Sequence, residues 1–293
     1  MTTPGRNVIE TLIDRTGQRP RRRGRWLVRL TAGWLLLIAL LAILAPLLPL
    51  AAPDALIGPP RVAPFTSIHL PLGTDTLGRS QLSRIIYGGR VSITVGVVAT
   101  AAGGVVGLAL GLVAGYFRGK VERVFDFLMD TLLAFPPLIL LLALTSVLTP
   151  SLTSLMLALS FLAIPGFARV ARASTIMFAG REFVDASRVL GAGAGRIMLR
   201  ELLPNVVMPV AGIAFIGVAA LTVAEGSLSF LGLGIPPPTP SWGGMMAAGR
   251  NDLATAPGLV LIPAAMLFLT VFSLNVVGDR IRGKLDVRQQ ATT

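Results

Sequence analysis

Residues 180–205, GREFVDASRVLGAGAGRIMLRELLPN, form the longest charged interval in the second half of a very apolar sequence. Three apolar residues of this interval recur at the i, i+3, i+7 spacing of one helix face: Phe183, Ala186 and Leu190. The spacing predicts a short amphipathic helix, with Asp185 and Arg188 toward its polar side. The interval is therefore predicted to be a polar helical segment between two membrane spans.

This short helix is predicted to end at a sharp change of direction. Gly191 follows it, and a glycine adopts backbone conformations that residues with a Cβ resist. Pro204 then suits the first turn of the next helix, because its missing N–H leaves no hydrogen bond unmade there.

The overall composition is that of an integral membrane protein. Of 293 residues, 53% are hydrophobic and only 14% are charged, whereas about a quarter of the residues of a soluble domain are charged. The mean hydropathy is +0.75. The net charge of +12 does not indicate nucleic-acid binding, because the basic residues lie beside long apolar segments, as membrane topology requires. The chain has no cysteine, which excludes disulfide and thiol chemistry.

Six membrane-spanning helices account for the apolar runs, since a hydrocarbon core of about 30 Å requires about 20 helical residues. A basic tail at 1–25 precedes the first span at 26–50, and an extracytoplasmic loop at 51–88 follows it. The other five spans are expected within a core at residues 89–278, at 91–117, 124–148, 152–171, 204–224 and 257–277, before a second tail at 279–293.

Several span boundaries depend on helix breakers and on length. Residues 131–168 are uncharged and would form a helix of about 57 Å, so they are divided into two spans at Pro150. Residues 226–249 are also uncharged, but their many Gly and Pro residues predict a loop that protein covers where it dips into the membrane. The uncharged run from Leu30 to Ala52 far exceeds the roughly 7–15 residues of a signal-peptide core, so a retained membrane helix is expected.

The basic residues predict that both termini lie on the cytoplasmic side of the cell membrane. Six spans place the two basic tails on one side, together with most of the 26 Lys and Arg residues, as the positive-inside rule requires. The basic residues predicted on the other side are Arg61, Arg79, Arg84, Arg90 and Arg250. The basic tail beside the first span is also expected to contact anionic membrane lipid.

Four glycines of the second span recur every four residues: Gly103, Gly107, Gly111 and Gly115. A stripe without side chains lets another helix approach closely, and such packing replaces the hydrophobic driving force that is missing within a bilayer. The stripe fits either static packing or a sliding surface between two helices.

Two acidic residues, Asp126 and Asp130, lie i, i+4 near the start of the third span. Acidic groups at membrane depth are functional candidates by default. These two lie close to the membrane edge, where they are expected to be hydrated or to pair with Arg123.

The 180–205 interval resembles the loop of ABC importer permeases whose pattern is E-A-A-x3-G-x9-I-x-L-P. The matching positions are Asp185-Ala186-Ser187, Gly191 and Glu201-Leu202-Leu203-Pro204. Asp185, Ser187 and Glu201 depart from the pattern. In that family the loop forms a coupling helix that docks on a separate ATPase subunit.

The resemblance implies that Phe183, Ala186 and Leu190 supply the docking face and that Asp185 and Arg188 add polar contacts to it. The alternative for the same residues is an interfacial helix that only joins two membrane spans.

Two longer stretches are similar to signatures of the C-type subunit of dipeptide, oligopeptide and nickel permeases. Residues 72–96, LGTDTLGRSQLSRIIYGGRVSITVG, resemble LGTDxLGRDxxSRxxxGxRxSLxVG, from which Ser80 and Ile93 depart. Residues 225–250, EGSLSFLGLGIPPPTPSWGGMMAAGR, resemble EGSLSFLGLGxxPPxPSWGxMLxxGR.

The resemblance implies an all-α integral membrane protein with a type I ABC importer permease core, which imports di- or oligopeptides. Such a subunit pairs with a homologous B-type permease, and an extracytoplasmic binding protein delivers the substrate. Two ATP-binding subunits, or one fused ATPase chain, attach to the coupling loops and bind ATP and Mg²⁺. This chain is therefore expected to bind no cofactor or metal and to catalyse no reaction. Nickel, glutathione or haem are alternative substrates within the same family.

The sequence contains no complete catalytic motif. His69 is the only histidine, and residues 278–285 fit only the start of a P-loop, GxxxxGK, with Leu285 where Ser or Thr would bind Mg²⁺. A P-loop also follows a strand, whereas this segment follows a membrane helix. An ion-coupled secondary transporter is the rival class, but it is expected to show inverted repeats and ionisable residues in mid-membrane, and neither is evident.

Overall fold

The computed structural model describes residues 24–66 and 70–291, with side chains described for 26–66 and 70–283. The predicted basic tail at 1–25 lies outside the described residues except for the backbone of 24 and 25. His69 also lies outside them, as do the last two residues of the second tail.

The described chain is mostly helical. Its α-helices are α1 Gly24–Leu44, α2 Gln81–Phe117, α3 Gly119–Ala134, α4 Pro137–Val147, α5 Leu152–Ala179, α6 Glu182–Val189, α7 Ala194–Gly212, α8 Ala214–Phe230, α9 Trp242–Gly249 and α10 Gly258–Ala291. Helix α7 includes a π-helical turn at Ile197–Leu202. Two isolated antiparallel bridges, Leu56 with Arg79 and Thr74 with Ser80, do not build a sheet within the described ranges.

These helices supply up to six membrane crossings. Four stretches are long and apolar enough on their own: Trp26–Leu47, Gln81–Phe117, Leu152–Ala179 and Gly258–Gly283. The pairs α3–α4 and α7–α8 qualify only as combined elements, bent by 91° and 49°. The six elements follow the predicted spans in order, so the predicted all-α membrane fold is confirmed.

Helix α2 is much longer than the predicted second span. It begins at Gln81 because the Ser80 hydroxyl accepts a hydrogen bond from the Ser83 N–H at 3.3 Å and so caps the helix. Residues 81–90, which precede the predicted span at 91–117, belong to this same helix. With 37 residues, α2 is about 55 Å long.

The predicted third span, 124–148, is not one continuous helix. Helix α3 ends at Ala134, and Phe135 and Pro136 have extended ψ angles of 133° and 129°. A residue that precedes a proline is driven out of the helical region by the proline ring. The two consecutive prolines therefore separate α3 from α4 and set the bend between them.

The predicted loop at 226–249 is wrong in part, because α8 extends into it and α9 forms its second half. The Ser241 hydroxyl caps α9 by accepting a hydrogen bond from the Gly244 N–H at 3.1 Å. Trp242 is fully buried and donates its Nε1–H to the Ile85 carbonyl of α2 at 3.0 Å. Helix α9 is thus a short segment covered by protein.

Helices α2 and α5 pack along most of their length through the predicted glycine stripe. Gly103, Gly107, Gly111 and Gly115 are all buried. A Cβ at Gly107 would lie 2.8 Å from the Ile164 carbonyl oxygen, and one at Gly115 would lie 2.7 Å from Thr175 Cβ. Neither distance is compatible with a larger residue unless the helices move apart, so the stripe fixes how closely α2 and α5 approach.

The loop between α1 and α2 is folded around the buried carboxylate of Asp75. Its Oδ2 accepts a hydrogen bond from Arg79 Nε at 2.6 Å and lies 3.3 Å from Arg84 Nε. Arg61 Nε forms an ion pair with Asp252 Oδ1 at 2.8 Å. The charged residues of the 72–96 stretch therefore hold this loop together, and the Arg61–Asp252 pair joins it to the turn before α10.

Candidate coupling site

The candidate site is centred on α6, which is joined to α5 by Gly180 and Arg181 and to α7 by residues 190–193. The Val184 and Asp185 N–H groups both donate to the Arg181 carbonyl, at 3.0 and 3.4 Å, and so begin the helix. Glu182 and Asp185 lie in the first turn and Arg188 in the last turn, which is the arrangement that the helix dipole favours. The predicted short amphipathic helix is present.

Val184 attaches α6 to the membrane helices. Its side chain is 0% exposed and belongs to an apolar cluster with Ala179 of α5 and with Ile197 and Leu202 of α7. The sequence prediction did not include Val184, because the i, i+3, i+7 pattern was drawn through its neighbour Phe183. The same i, i+3, i+7 spacing drawn through Val184 passes through polar positions. Periodicity alone therefore does not identify Val184 as a buried residue.

The predicted docking residues Phe183, Ala186 and Leu190 are all exposed in the structure. Leu190 is 86% exposed, and its neighbour Val189, which was not predicted as a site residue, is 88% exposed. Two adjacent branched apolar side chains therefore project from the end of α6 into the surroundings. Exposed apolar groups in such a position indicate a surface that another protein or the membrane covers.

The polar side of α6 contacts α2. Arg188 Nη1 donates to Asp185 Oδ1 at 2.9 Å, and the Arg188 guanidinium carbon lies 5.9 Å from the centre of the Tyr116 ring. A cation over an aromatic face within about 6 Å is attracted by the ring quadrupole. Tyr116, near the end of α2, was also missed by the sequence analysis, since it is distant from α6 along the chain.

Gly191 terminates α6 in a Schellman motif. Its φ is +81°, its N–H donates to the Arg188 carbonyl at 2.9 Å, and the Ala192 N–H donates to the Ser187 carbonyl at 3.0 Å. This pair of bonds requires a left-handed residue, a conformation that glycine adopts without strain. A Cβ at Gly191 would meet no atom within 4 Å, so the requirement is for backbone conformation and not for space.

Pro204 lies in the first turn of the α-helical segment Leu203–Gly212, the local setting that was predicted for it. The helical backbone begins earlier, at Ala194, because the π-helical turn Ile197–Leu202 precedes the proline. In this turn the Leu203 N–H donates to the Met198 carbonyl, five residues back. Single π-helical turns within α-helices are rare and are frequently found at functional sites.

The acidic residues of α3 pair with α5 and not with Arg123, so that predicted pairing was wrong. Arg172 Nη2 bonds both Glu122 Oε1 and Asp126 Oδ2, the second at 3.1 Å, and Arg169 Nη2 bonds Asp130 Oδ1. The partners are distant in the sequence and meet because α3 folds back across the end of α5.

An open apolar groove of about 300 Å³ lies between α2, α5, α7 and α8. Its lining includes Val97, Thr100, Leu108, Phe167, Val210 and Val218. No group of three or more His, Asp or Glu side chains suited to a metal ion occurs among the residues that the structure describes.

Comparisons with known proteins relate these features to a family. The family described as "Binding-protein-dependent transport system inner membrane component" matches residues 107–290. The glutathione transport system permease protein GsiD of Escherichia coli O6:K15:H31 (strain 536 / UPEC) is 38% identical over 214 residues, which cover 73% of this chain and 71% of that protein. The protein of the same name from Shigella boydii serotype 4 (strain Sb227) matches equally, with 38% identity over 214 residues.

Solved structures share the fold. One crystal form of the inward facing MetNI methionine ABC transporter has a TM-score of 0.58 and 20% identity, with 69% of this chain and 96% of that chain covered. A second crystal form gives a TM-score of 0.57 and 18% identity, with 70% and 97% covered.

Proposed function

We propose, since this chain belongs to the family of inner membrane components of binding-protein-dependent transport systems, that it is the C-type permease subunit of an ATP-driven importer of di- and oligopeptides. It provides half of the translocation pathway, and a homologous B-type permease provides the other half. An extracytoplasmic binding protein delivers the substrate.

The observation that carries this proposal is the geometry of α6. The helix is held on its inner side by Val184 and presents Val189 and Leu190 on its outer side. Such a helix can pass a displacement of its partner to the membrane helices, because one side chain anchors it in the apolar core while others are exposed to the partner. We assign the docking of the ATPase subunits to this surface, together with Phe183 and Ala186.

ATP and Mg²⁺ bind to two ATP-binding subunits, or to one fused ATPase chain, and not to this chain. Closure of the ATPases displaces α6. Because Val184 shares one apolar cluster with α5 and α7, the displacement reaches both helices. The contact between Arg188 and Tyr116 carries it to α2 as well.

The open groove between α2, α5, α7 and α8 is the surface that we assign to the translocation pathway and the B-type partner. Helices α2 and α5 move as one body, because the glycine stripe holds their backbones close together. The 49° bend between α7 and α8 provides a place where the pathway changes shape. Alternating access then follows from motion of α7–α8 against the α2–α5 pair.

We assign the end of the helix bundle that carries α6 to the cytoplasmic side of the cell membrane. Both termini are assigned to that side as well. This assignment is supported by the positive-inside distribution of basic residues. The loop between α1 and α2, together with α9, then faces the extracytoplasmic side.

Glutathione is the second candidate substrate, because the GsiD relatives at 38% identity are permeases of glutathione transport systems. Glutathione is itself a tripeptide with a γ-linked glutamate, so a pathway for short peptides is chemically suited to it. Nickel and haem importers remain alternatives that no specific residue of this chain favours.

The test is uptake of labelled substrates by a strain that lacks this chain and by the same strain carrying the full chain. A labelled dipeptide, a labelled tripeptide and labelled glutathione are compared, each with an excess of the unlabelled competitors. The expected result is that the chain restores uptake of short peptides and that ATP depletion abolishes it. Restored uptake that persists without ATP and collapses with a protonophore would instead identify an ion-coupled transporter.

A further inference from the structure

We propose that α3 lies along the membrane interface beside α6, the proposed coupling helix, and binds the headgroups of anionic phospholipids there. The proposal depends on the proposed function only for naming this side cytoplasmic. It replaces the prediction that α3 is the first half of an ordinary membrane span.

The lengths of α3 and α4 and the angle between them suggest different environments for the two helices. Helix α3 has 16 residues and α4 has 11, which makes them about 24 and 17 Å long, so neither spans a core of about 30 Å. They meet at 91°. Helix α4 carries no charged residue, whereas α3 carries Lys120, Glu122, Arg123, Asp126 and Asp130. Hydrocarbon therefore suits α4, and the interface suits α3.

The charges of α3 are separated by sign. Its acidic side chains are all paired with arginines of α5: Arg172 pairs with Glu122 and Asp126, and Arg169 pairs with Asp130, whose side chain is still 68% exposed. Its basic side chains, Lys120 and Arg123, are exposed and make no ion pair within the described part of the chain. The charges of α3 that are left without a partner in the described chain are thus both cationic, although the helix as a whole carries more acidic than basic residues.

Apolar side chains lie beside these two cations. Phe125 and Met129 are buried against Ala114 of α2 and Ala168 of α5. The sides of α3 turned away from this core expose Val121, Val124, Phe127 and Leu128, of which Phe127 is 70% exposed. An amphipathic helix with cations next to exposed apolar residues inserts the apolar residues below the headgroups and pairs the cations with anionic lipid.

The position of α3 identifies the leaflet. The helix begins two residues after the end of α2, near Tyr116, and the Tyr116 ring contacts Arg188 of the coupling helix. Helix α3 and the coupling helix therefore lie at the same end of the bundle. The membrane interface proposed for α3 is therefore that of the leaflet next to the ATPases.

The first measurement is the depth of a spin label on the full chain, assembled with its partner subunits in nanodiscs of phosphatidylcholine and phosphatidylglycerol. The chain has no cysteine, so Phe127→Cys gives a single labelling site on this chain, and Leu56→Cys, in the loop between α1 and α2, gives a water-exposed control site. The label at 127 is expected to relax more with oxygen than with a water-soluble nickel chelate. Equal access to the chelate at both sites would overturn the proposal. Shielding of the label at 127 from both agents would also overturn it, since a partner protein would then cover this face.

The second measurement is lipid preference. The double variant Lys120→Gln/Arg123→Gln removes two exposed cations, and Arg250→Gln removes one exposed cation from the opposite end of the molecule. By native mass spectrometry, the preference for phosphatidylglycerol over phosphatidylcholine should fall about 25-fold at most in the double variant and should not change in the control. An unchanged preference in the double variant would contradict headgroup binding, whatever the outcome of the uptake assay.

Discussion

Gly191 has the most specific backbone requirement of the loop between α5 and α7, since its φ is +81°. We predict that Gly191→Val abolishes uptake while the protein remains in the membrane. A residue with a Cβ in the left-handed region costs about 1–2 kcal/mol, and a β-branched side chain is the least suited to it, so the end of α6 reorganises. The measurement is labelled-peptide uptake together with the amount of chain in the membrane fraction.

Gly193 provides the matched control for this substitution. Its φ is −71°, and a Cβ there would also meet nothing within 4 Å, so Gly193→Val should retain uptake. Gly191→Asn should retain more uptake than Gly191→Val, because asparagine tolerates the left-handed region. Wild-type uptake by Gly191→Val would count against a role of this turn in coupling.

Arg188 is expected to link α6 to α2 through the Tyr116 ring. We predict that Arg188→Ala lowers uptake about two- to fivefold, since an exposed cation–π contact contributes about 0.5–1 kcal/mol. Arg188→Lys should recover part of the loss, because it restores a cation over the ring. Uptake is measured at equal amounts of the membrane-inserted chain, and Arg196→Ala serves as a control at an exposed arginine of the same loop region.

At the scale of elements, the α2–α5 contact depends on residues that lack a Cβ. We predict that Gly111→Ala lowers the midpoint of thermal unfolding of the full chain in detergent. The added Cβ would lie 2.6 Å from Ala171 Cβ, and overpacking of this kind costs about 1–3 kcal/mol.

The control for this prediction is Gly104→Ala on the same helix. Its added Cβ would lie 3.7 Å from Phe167 Cδ1, an ordinary contact, and alanine favours a helix by about 1 kcal/mol over glycine. The midpoint of Gly104→Ala should therefore be unchanged or higher. Unfolding of both variants at the wild-type midpoint would contradict this prediction, because the contact between α2 and α5 would then tolerate a small side chain.

Local sequence patterns were sufficient for some elements and insufficient for others. The apolar runs and the glycine stripe are properties of single segments, so periodicity and length located the six crossing elements. The buried face of α6 was not predictable in this way, because packing against α5 and α7 decides that Val184 is buried while Phe183 is exposed. The pairing of Arg169 and Arg172 with α3 was missed for a similar reason, since it requires the fold of α3 across α5. Helix α9 was missed because its glycines, which disfavour a helix in isolation, permit close packing here.

At the scale of the whole molecule, the orientation in the membrane has a direct test. We predict that a membrane-impermeant maleimide labels Leu56→Cys on intact cells and labels Val189→Cys only after permeabilisation, in a strain without the ATPase subunits. Both side chains are largely exposed, and the absence of native cysteines keeps the background low. Labelling of residue 189 from outside intact cells would reverse the assigned topology and remove the basis for the coupling role.

The single unbroken helix α2 has a mechanical consequence. Its first turns are fastened to the loop before it, where the Ser83 hydroxyl donates to the Ala51 carbonyl at 2.7 Å, and its last turn carries Tyr116 beneath Arg188. A straight rod of about 55 Å that tilts by about 5° shifts one end relative to the other by about 5 Å. Under the proposed mechanism, we expect helix α2 to act as a lever arm that links substrate binding at one end of the molecule to ATP-driven motion at the other.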